Sequence, residues 1–149
     1  MVAADETVAG DQTVYMIDFA NVSLGPRFVD AAAMAATVRA HGYGETLGVR
    51  RIQELVRSEE RILSSLVKGK ALKPPLAPWM ELAVHVNERS ASRAMGEAGD
   101  RSVVARELIM TQLAYALNSF SIPWYTEAQK TRLLVWAVAL RRFAFEANK

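Results

Sequence analysis

Between Val49 and Val67 the apolar residues recur every three or four positions: Val49, Ile52, Leu55, Val56, Ile62, Leu63, Leu66 and Val67. Arg50, Glu54, Arg57, Ser58, Arg61 and Lys68 fall between them. At about 3.6 residues per turn, this spacing puts the two sets on opposite sides of a helix. It predicts a helix over 46–68 with Gly69 as its stop. An earlier helix is expected to open at Gly25-Pro26, with proline in its favoured first turn, and to run to about His41. Its centre, Ala31-Ala32-Ala33-Met34-Ala35-Ala36, has small side chains that let a neighbouring helix approach closely.

A third helix is predicted from Pro78 to about Met95, turning Trp79, Leu82, Ala83 and Val86 inward. Gly96 to Gly99 reads as a loop, and Asp100 as the N-cap of a fourth helix over 101–120. That helix carries a broad apolar arc through Ile109, Met110, Leu113, Leu117 and Phe120. A second stripe runs through Val104, Leu108 and Tyr115, so the helix is expected to lie centrally. Thr126 and Gln129 have the spacing of a capping box for a fifth helix reaching about Ala147. Within it Leu133 to Leu140 is an unbroken apolar run, which predicts burial on every side.

What is left is an arm and a linker. Residues 1–24 are largely polar, with Val14 to Val22 rich in β-branched and aromatic residues and readable as an extended segment. Lys68 to Pro78 contains Pro74, Pro75 and Pro78 and cannot be helix interior. The expected fold is therefore all-α. It comprises a compact domain of about five helices over 25–149, an extended N-terminal arm over 1–24 and a Pro-rich linker at 68–78.

Composition supports a globular chain: 51% hydrophobic and 23% charged residues in 149 are enough for one core. Eighteen basic and sixteen acidic side chains give a net charge of +2, without the cationic surplus of a dedicated nucleic-acid binder. The charge is unevenly placed. Residues 1–26 hold Asp5, Glu6, Asp11 and Asp18 and no Lys or Arg, whereas 27–73 hold nine basic and five acidic residues. Such an acidic leader ahead of a basic middle implies an internal contact or an arm lying on a partner.

With no cysteine there is no disulfide framework, thiol nucleophile or Cys-ligated zinc. The acidic start, beginning at Met1, has neither the apolar run of a signal peptide nor the arginines of a transit peptide. We therefore expect an intracellular protein, in cytoplasm or an organelle interior, and not a secreted one. Leu108 to Thr126 carries no charge and is long enough to span a bilayer, but Thr111, Gln112, Asn118, Ser119 and Ser121 interrupt it. A buried helix pair is the better reading, which leaves any membrane contact peripheral.

Several motifs invite chemistry. Tyr15-Met16-Ile17-Asp18-Phe19-Ala20-Asn21-Val22 resembles the first strand of the NYN/PIN-like ribonucleases, in which an apolar strand ends in a metal-binding Asp followed by Asn. The resemblance implies a metal-ligand role for Asp18. It covers eight residues, and the alternating strands, helices and later Asp of that family do not follow. Glu81, His85 and Glu88 share one side of the third helix, without the matching ligands from facing helices that a bundle metal site requires. Ser65 and Lys68 have the Ser-x-x-Lys spacing of penicillin-binding enzymes without the companion motifs, and Ser65 is expected on the polar side of its helix. Arg50, Arg51, Arg57, Arg61, Lys68, Lys70 and Lys73 could contact phosphates, yet Glu54 and Glu60 interleave with them and no aromatic residue stands among them. No catalytic, cofactor-binding or metal-ligating set emerges.

The anomaly is Glu59, which falls on the apolar face of the second helix between Leu55 and Leu63. A buried carboxylate left unpaired costs several kcal/mol, so an Arg from elsewhere should meet it, within the chain or across a subunit seam. Either way Glu59→Leu is expected to leave the monomer folded or stabilised and to weaken assembly. The function expected is a non-catalytic helical accessory or structural subunit of a larger protein assembly, with no cofactor and no small-molecule substrate. Its interface residues are expected to be Glu59, Ile62, Leu66, Trp124, Trp136 and Phe143. The alternative is a small nucleic-acid-binding or nucleic-acid-processing protein using the basic stripe or Asp18.

Overall fold

A computed structural model describes residues 28–42, 49–98 and 100–146. Among them are five helices and no strand: α1 Val29–Gly42, α2 Val49–Lys68, α3 Pro78–Ala98, α4 Arg101–Ser119 and α5 Glu127–Glu146. The fold is all-α, as the periodicity predicts. The arm over 1–24, the Val14–Val22 segment, Asp18 and the Gly25-Pro26 opening lie outside the described residues.

Helix ends follow from local chemistry. Asp100 caps α4, its carboxylate accepting the Ser102 hydroxyl and the Ser102 backbone N–H, each at 2.8 Å, and these bonds hold the Asp100 carboxyl below its usual range. The α5 capping box is reciprocal: Thr126 N–H donates to Gln129 Oε1 at 2.9 Å and Gln129 N–H donates to Thr126 Oγ1 at 3.2 Å. Gly69 ends α2 with φ +65°, where a side chain would be strained, and Lys70 N–H reaches back to the Ser65 carbonyl at 3.3 Å. Two arginines cap other helices from outside. Arg101 Nε donates to the Leu66 carbonyl of α2 at 3.0 Å, and Arg132 Nη1 donates to the Ala40 carbonyl of α1 at 2.8 Å. Each puts a cation at the negative end of a helix dipole. Arg101 also forms a two-pronged pair with Glu88 at 2.8 and 2.9 Å, tying α2, α3 and α4 together at one point.

Helix α4 packs against all four others and is the central element. Its neighbour α1 presents Ala32, Ala35, Ala36 and Ala40, all buried, so α3, α4 and α5 can come close along the small-residue face. At Gly42 the fit to α3 is tight, since an added Cβ would stand 2.8 Å from Trp79 Cβ. The main core joins Leu63 and Leu66 of α2, Val86 of α3, Leu108 and Ile109 of α4, and Leu133, Trp136 and Leu140 of α5. A smaller cluster of Leu55, Ile62, Trp79, Met80, Ala83 and Val135 is covered by Leu72 and Leu76 of the linker. Burying each such side chain contributes about 1.5–3 kcal/mol.

The structure corrects several expectations. Helix α3 continues through Gly96 to Ala98, shortening the predicted loop. A glycine in a helix interior costs only about 1 kcal/mol, and Gly96 faces open space. Leu82, assigned inward, is exposed, because the buried face of α3 is centred on Met80, Ala83 and Asn87. In α4 the arc is rotated: Gln112, Ala116 and Ser119 are buried, and Met110 and Leu117 are exposed. Helix α5 is not buried on every side, since Leu134 and Val138 are open to solvent. Ser65 is buried rather than on the polar side, and its hydroxyl donates to the Lys70 carbonyl at 2.6 Å.

Candidate functional site

Glu59 is fully buried, and Arg39 of α1 meets it inside the same chain. Arg39 Nε donates to Glu59 Oε1 at 2.9 Å and Nη2 donates to Oε2 at 2.8 Å, the paired geometry that best compensates two desolvated charges. Nη1 donates to the Ala35 carbonyl one turn back at 3.1 Å. The guanidinium carbon stands 4.4 Å from the ring centroid of Trp136 on α5, a cation–π contact in a dry setting. The backbones of α1 and α2 stay apart among the described residues, so this pair spans the space between them beside the Trp136 ring. Arg39 could have been suspected from the sequence, since it lies four residues after Ala35 on the small-residue face of its helix.

The other expected interface residues divide sharply. Ile62, Leu66 and Trp136 are buried at 1%, 1% and 0% exposure, and Phe143 packs partly buried against the main core. Within this chain Glu59, Ile62, Leu66 and Trp136 are interior, because α2 turns its apolar face onto α5 and its own core. Trp124, in the turn between α4 and α5, stands 76% exposed.

Periodicity alone missed the apolar residues left outside. On α5 Leu134, Val138 and Phe145 are exposed, at spacings of four and seven, which place them in one row along the outer face. On α4 Val103, Met110 and Leu117 are exposed at spacings of seven, with Ala114 in the same row. Met110 and Ala114 also line a shallow depression of about 410 Å³ with Val29, Thr111, Tyr115 and Asn118, which extends the α4 row onto the start of α1.

A deeper groove of about 420 Å³ lies between α1 and α3. Phe28, Ala31, Met34, Val86 and Ala94 supply its apolar wall, and Asp30, His85, Arg89, Ser90 and Arg93 its polar groups. His85, Arg89 and Arg93 follow one another at intervals of four, so they form a row along α3. Neither Arg89 nor Arg93 makes an ion pair with a described residue. His85 is therefore part of a basic rim, while its neighbour Glu88 is engaged by Arg101.

The basic stripe of α2 is partly neutralised. Arg51 lies 3.5 Å from Glu54, and Glu60 is bound by Arg142 of α5. Among the described residues no group of three or more His, Asp or Glu side chains is placed to hold a metal ion. Among the same residues no helix is long and apolar enough to cross a membrane. The fold and its surfaces thus define a small α-helical domain with apolar rows on two outer helix faces and one basic groove. Comparison with family models, curated proteins and solved structures finds no match.

Proposed function

We propose that the chain is a non-catalytic helical subunit that works by packing its outer α4 and α5 faces against another protein. The observation that supports this reading is the α5 row: Leu134, Val138 and Phe145, each about half exposed, share one face of the helix while Leu133, Val135, Trp136 and Leu140 are in the core. Scattered single apolar residues on a surface need no partner, but rows at helical spacing are what a docking helix or groove engages. The α4 row and Trp124 extend the available apolar surface. The partner is another protein subunit, held by apolar contact, with the exposed Arg106 and Arg141 standing within the two rows as points for a polar or acidic group of that partner.

The test is recovery of the native chain from its own cells under gentle conditions, in wild-type form and as Leu134→Glu/Val138→Glu. The reading expects a defined complex with the wild type and its loss in the variant, with an unchanged melting curve. A lone 16.4 kDa monomer, or a complex indifferent to the variant, overturns it.

A further inference from the structure

The groove between α1 and α3 combines an apolar wall with three cationic or cation-capable groups, and it opens where residues 1–27 join the helical body. We propose that its occupant is the chain's own acidic leader, with the Val14–Val22 stretch against the apolar wall and its carboxylates on the α3 rim. This goes beyond the subunit reading and does not depend on it.

Charge is the first argument. The leader has four carboxylates and no cation up to Pro26, leaving eighteen basic against twelve acidic side chains in the remainder. The groove gathers His85, Arg89 and Arg93 on one edge, and neither arginine is paired with a described carboxylate. Among the described residues Asp30 is the one acid lining the groove, and it sits on the opposite, α1 wall in that helix's first turn. The leader's acids are therefore directed to the α3 side. The positive end of the α1 dipole adds to the attraction at this end of the groove.

Apolar chemistry is the second argument. Met34 is 42% exposed within the groove, and Tyr15, Ile17 and Phe19 fall on one side of an extended chain while Asp18 falls on the other. That alternation suits a surface with an apolar wall and a basic rim.

Reach is the third. Val22 stands six positions before Phe28, a span of up to about 20 Å. The groove follows α3 from His85 to Ala94, about 14 Å of helix rise. Gly25-Pro26 within that connection permits the reversal needed to fold back beside α1. A tether this short presents the leader at an effective concentration of roughly millimolar, which no free acidic peptide in the cell need match.

The full chain has no cysteine, so Ala20→Cys gives one attachment point for a nitroxide spin label. Amide signals of residues 86–94 should then lose most of their intensity, while those of 134–145 on the outer side of α5 keep theirs. Charge reversal at the exposed rim, Arg89→Glu/Arg93→Glu, should restore the 86–94 signals, as should high salt. Full intensity at 86–94 in the labelled wild type overturns the proposal, and so does broadening that survives the charge reversal. A mixed sample of labelled and isotope-enriched copies decides between occupants: broadening of 86–94 across copies means that a second chain fills the groove and overturns self-docking.

Discussion

Among the described residues two polar contacts between side chains lie buried between helices, and they are built differently. Arg39 and Glu59 join α1 to α2 through two parallel hydrogen bonds, a third bond to the Ala35 carbonyl and the Trp136 ring face. Asn87 and Gln112 join α3 to α4 through one bond, Gln112 Nε2 to Asn87 Oδ1 at 2.7 Å. Asn87 Nδ2 and Gln112 Oε1 have no hydrogen-bond partner among the described residues. The ion pair is nearly saturated and the amide pair half used. The difference teaches where a polar group in this core is costly to lose and where it is costly to keep.

The largest effect is expected at the ion pair. Glu59→Leu leaves the Arg39 charge buried, so the variant should lose about 3–5 kcal/mol in urea or thermal unfolding. This reverses the expectation from sequence that Glu59→Leu would be neutral or stabilising, because the partner is itself wholly buried. The double change Arg39→Met/Glu59→Leu should recover most of that loss, since no stranded charge remains. Gly42→Ala comes next: with Trp79 Cβ 2.8 Å from the new methyl, α1 and α3 must separate, and a loss of about 1–3 kcal/mol is expected in the same melts.

At the amide pair the sign should differ between single and double variants. Gln112→Leu alone removes the one partner of Asn87 and should cost about 1–3 kcal/mol. Asn87→Leu/Gln112→Leu removes both polar groups and should be near neutral or stabilising. A double variant as damaged as the single one would erase the contrast between the two contacts. The smallest effect is at Asp100, whose carboxyl is held below its ordinary value by the Ser102 hydrogen bonds. A depressed folded-state value means that its contribution is present above the unfolded carboxylate range and is lost as pH falls through the folded value. Asp100→Ala should therefore give a small loss at neutral pH that shrinks on acidification, measured as the difference between two melting curves.

The same contrast explains what the sequence discloses. Helix number, the Asp100 cap, the Thr126–Gln129 box and the Gly69 stop are local signals within four residues of one another, and each stands where it was expected. Glu59 announces itself as out of place on an apolar face, and that much is local too. Its partner lies twenty residues away on a helix whose backbone stays apart from its own, so only the tertiary arrangement identifies Arg39.

Rotation of a helix about its axis is the other quantity the pattern cannot fix. In α4 and α5 apolar residues cover more of the circumference than neighbours can bury. Whether Leu134 or Trp136 faces inward is then decided by where the other helices sit. For this reason Trp136 is interior and the exposed rows of α4 and α5 went unrecognised, while Glu59, Ile62 and Leu66 are interior because the apolar face of α2 is covered within the chain. The groove was similarly hidden, since Phe28 and Ala94 meet only through the packing of α1 on α3.

The central claim is that the chain answers its own buried carboxylate, so that the proposed contact with another protein falls to its outer faces. A double-mutant cycle between Arg39 and Glu59, read by urea unfolding across a wide range of protein concentration, tests it most directly. The account predicts a coupling of about 3 kcal/mol or more, at the strong end for interacting residues and unchanged by concentration. A coupling below about 0.5 kcal/mol, the level of independent sites, or one that grows with protein concentration, would contradict it.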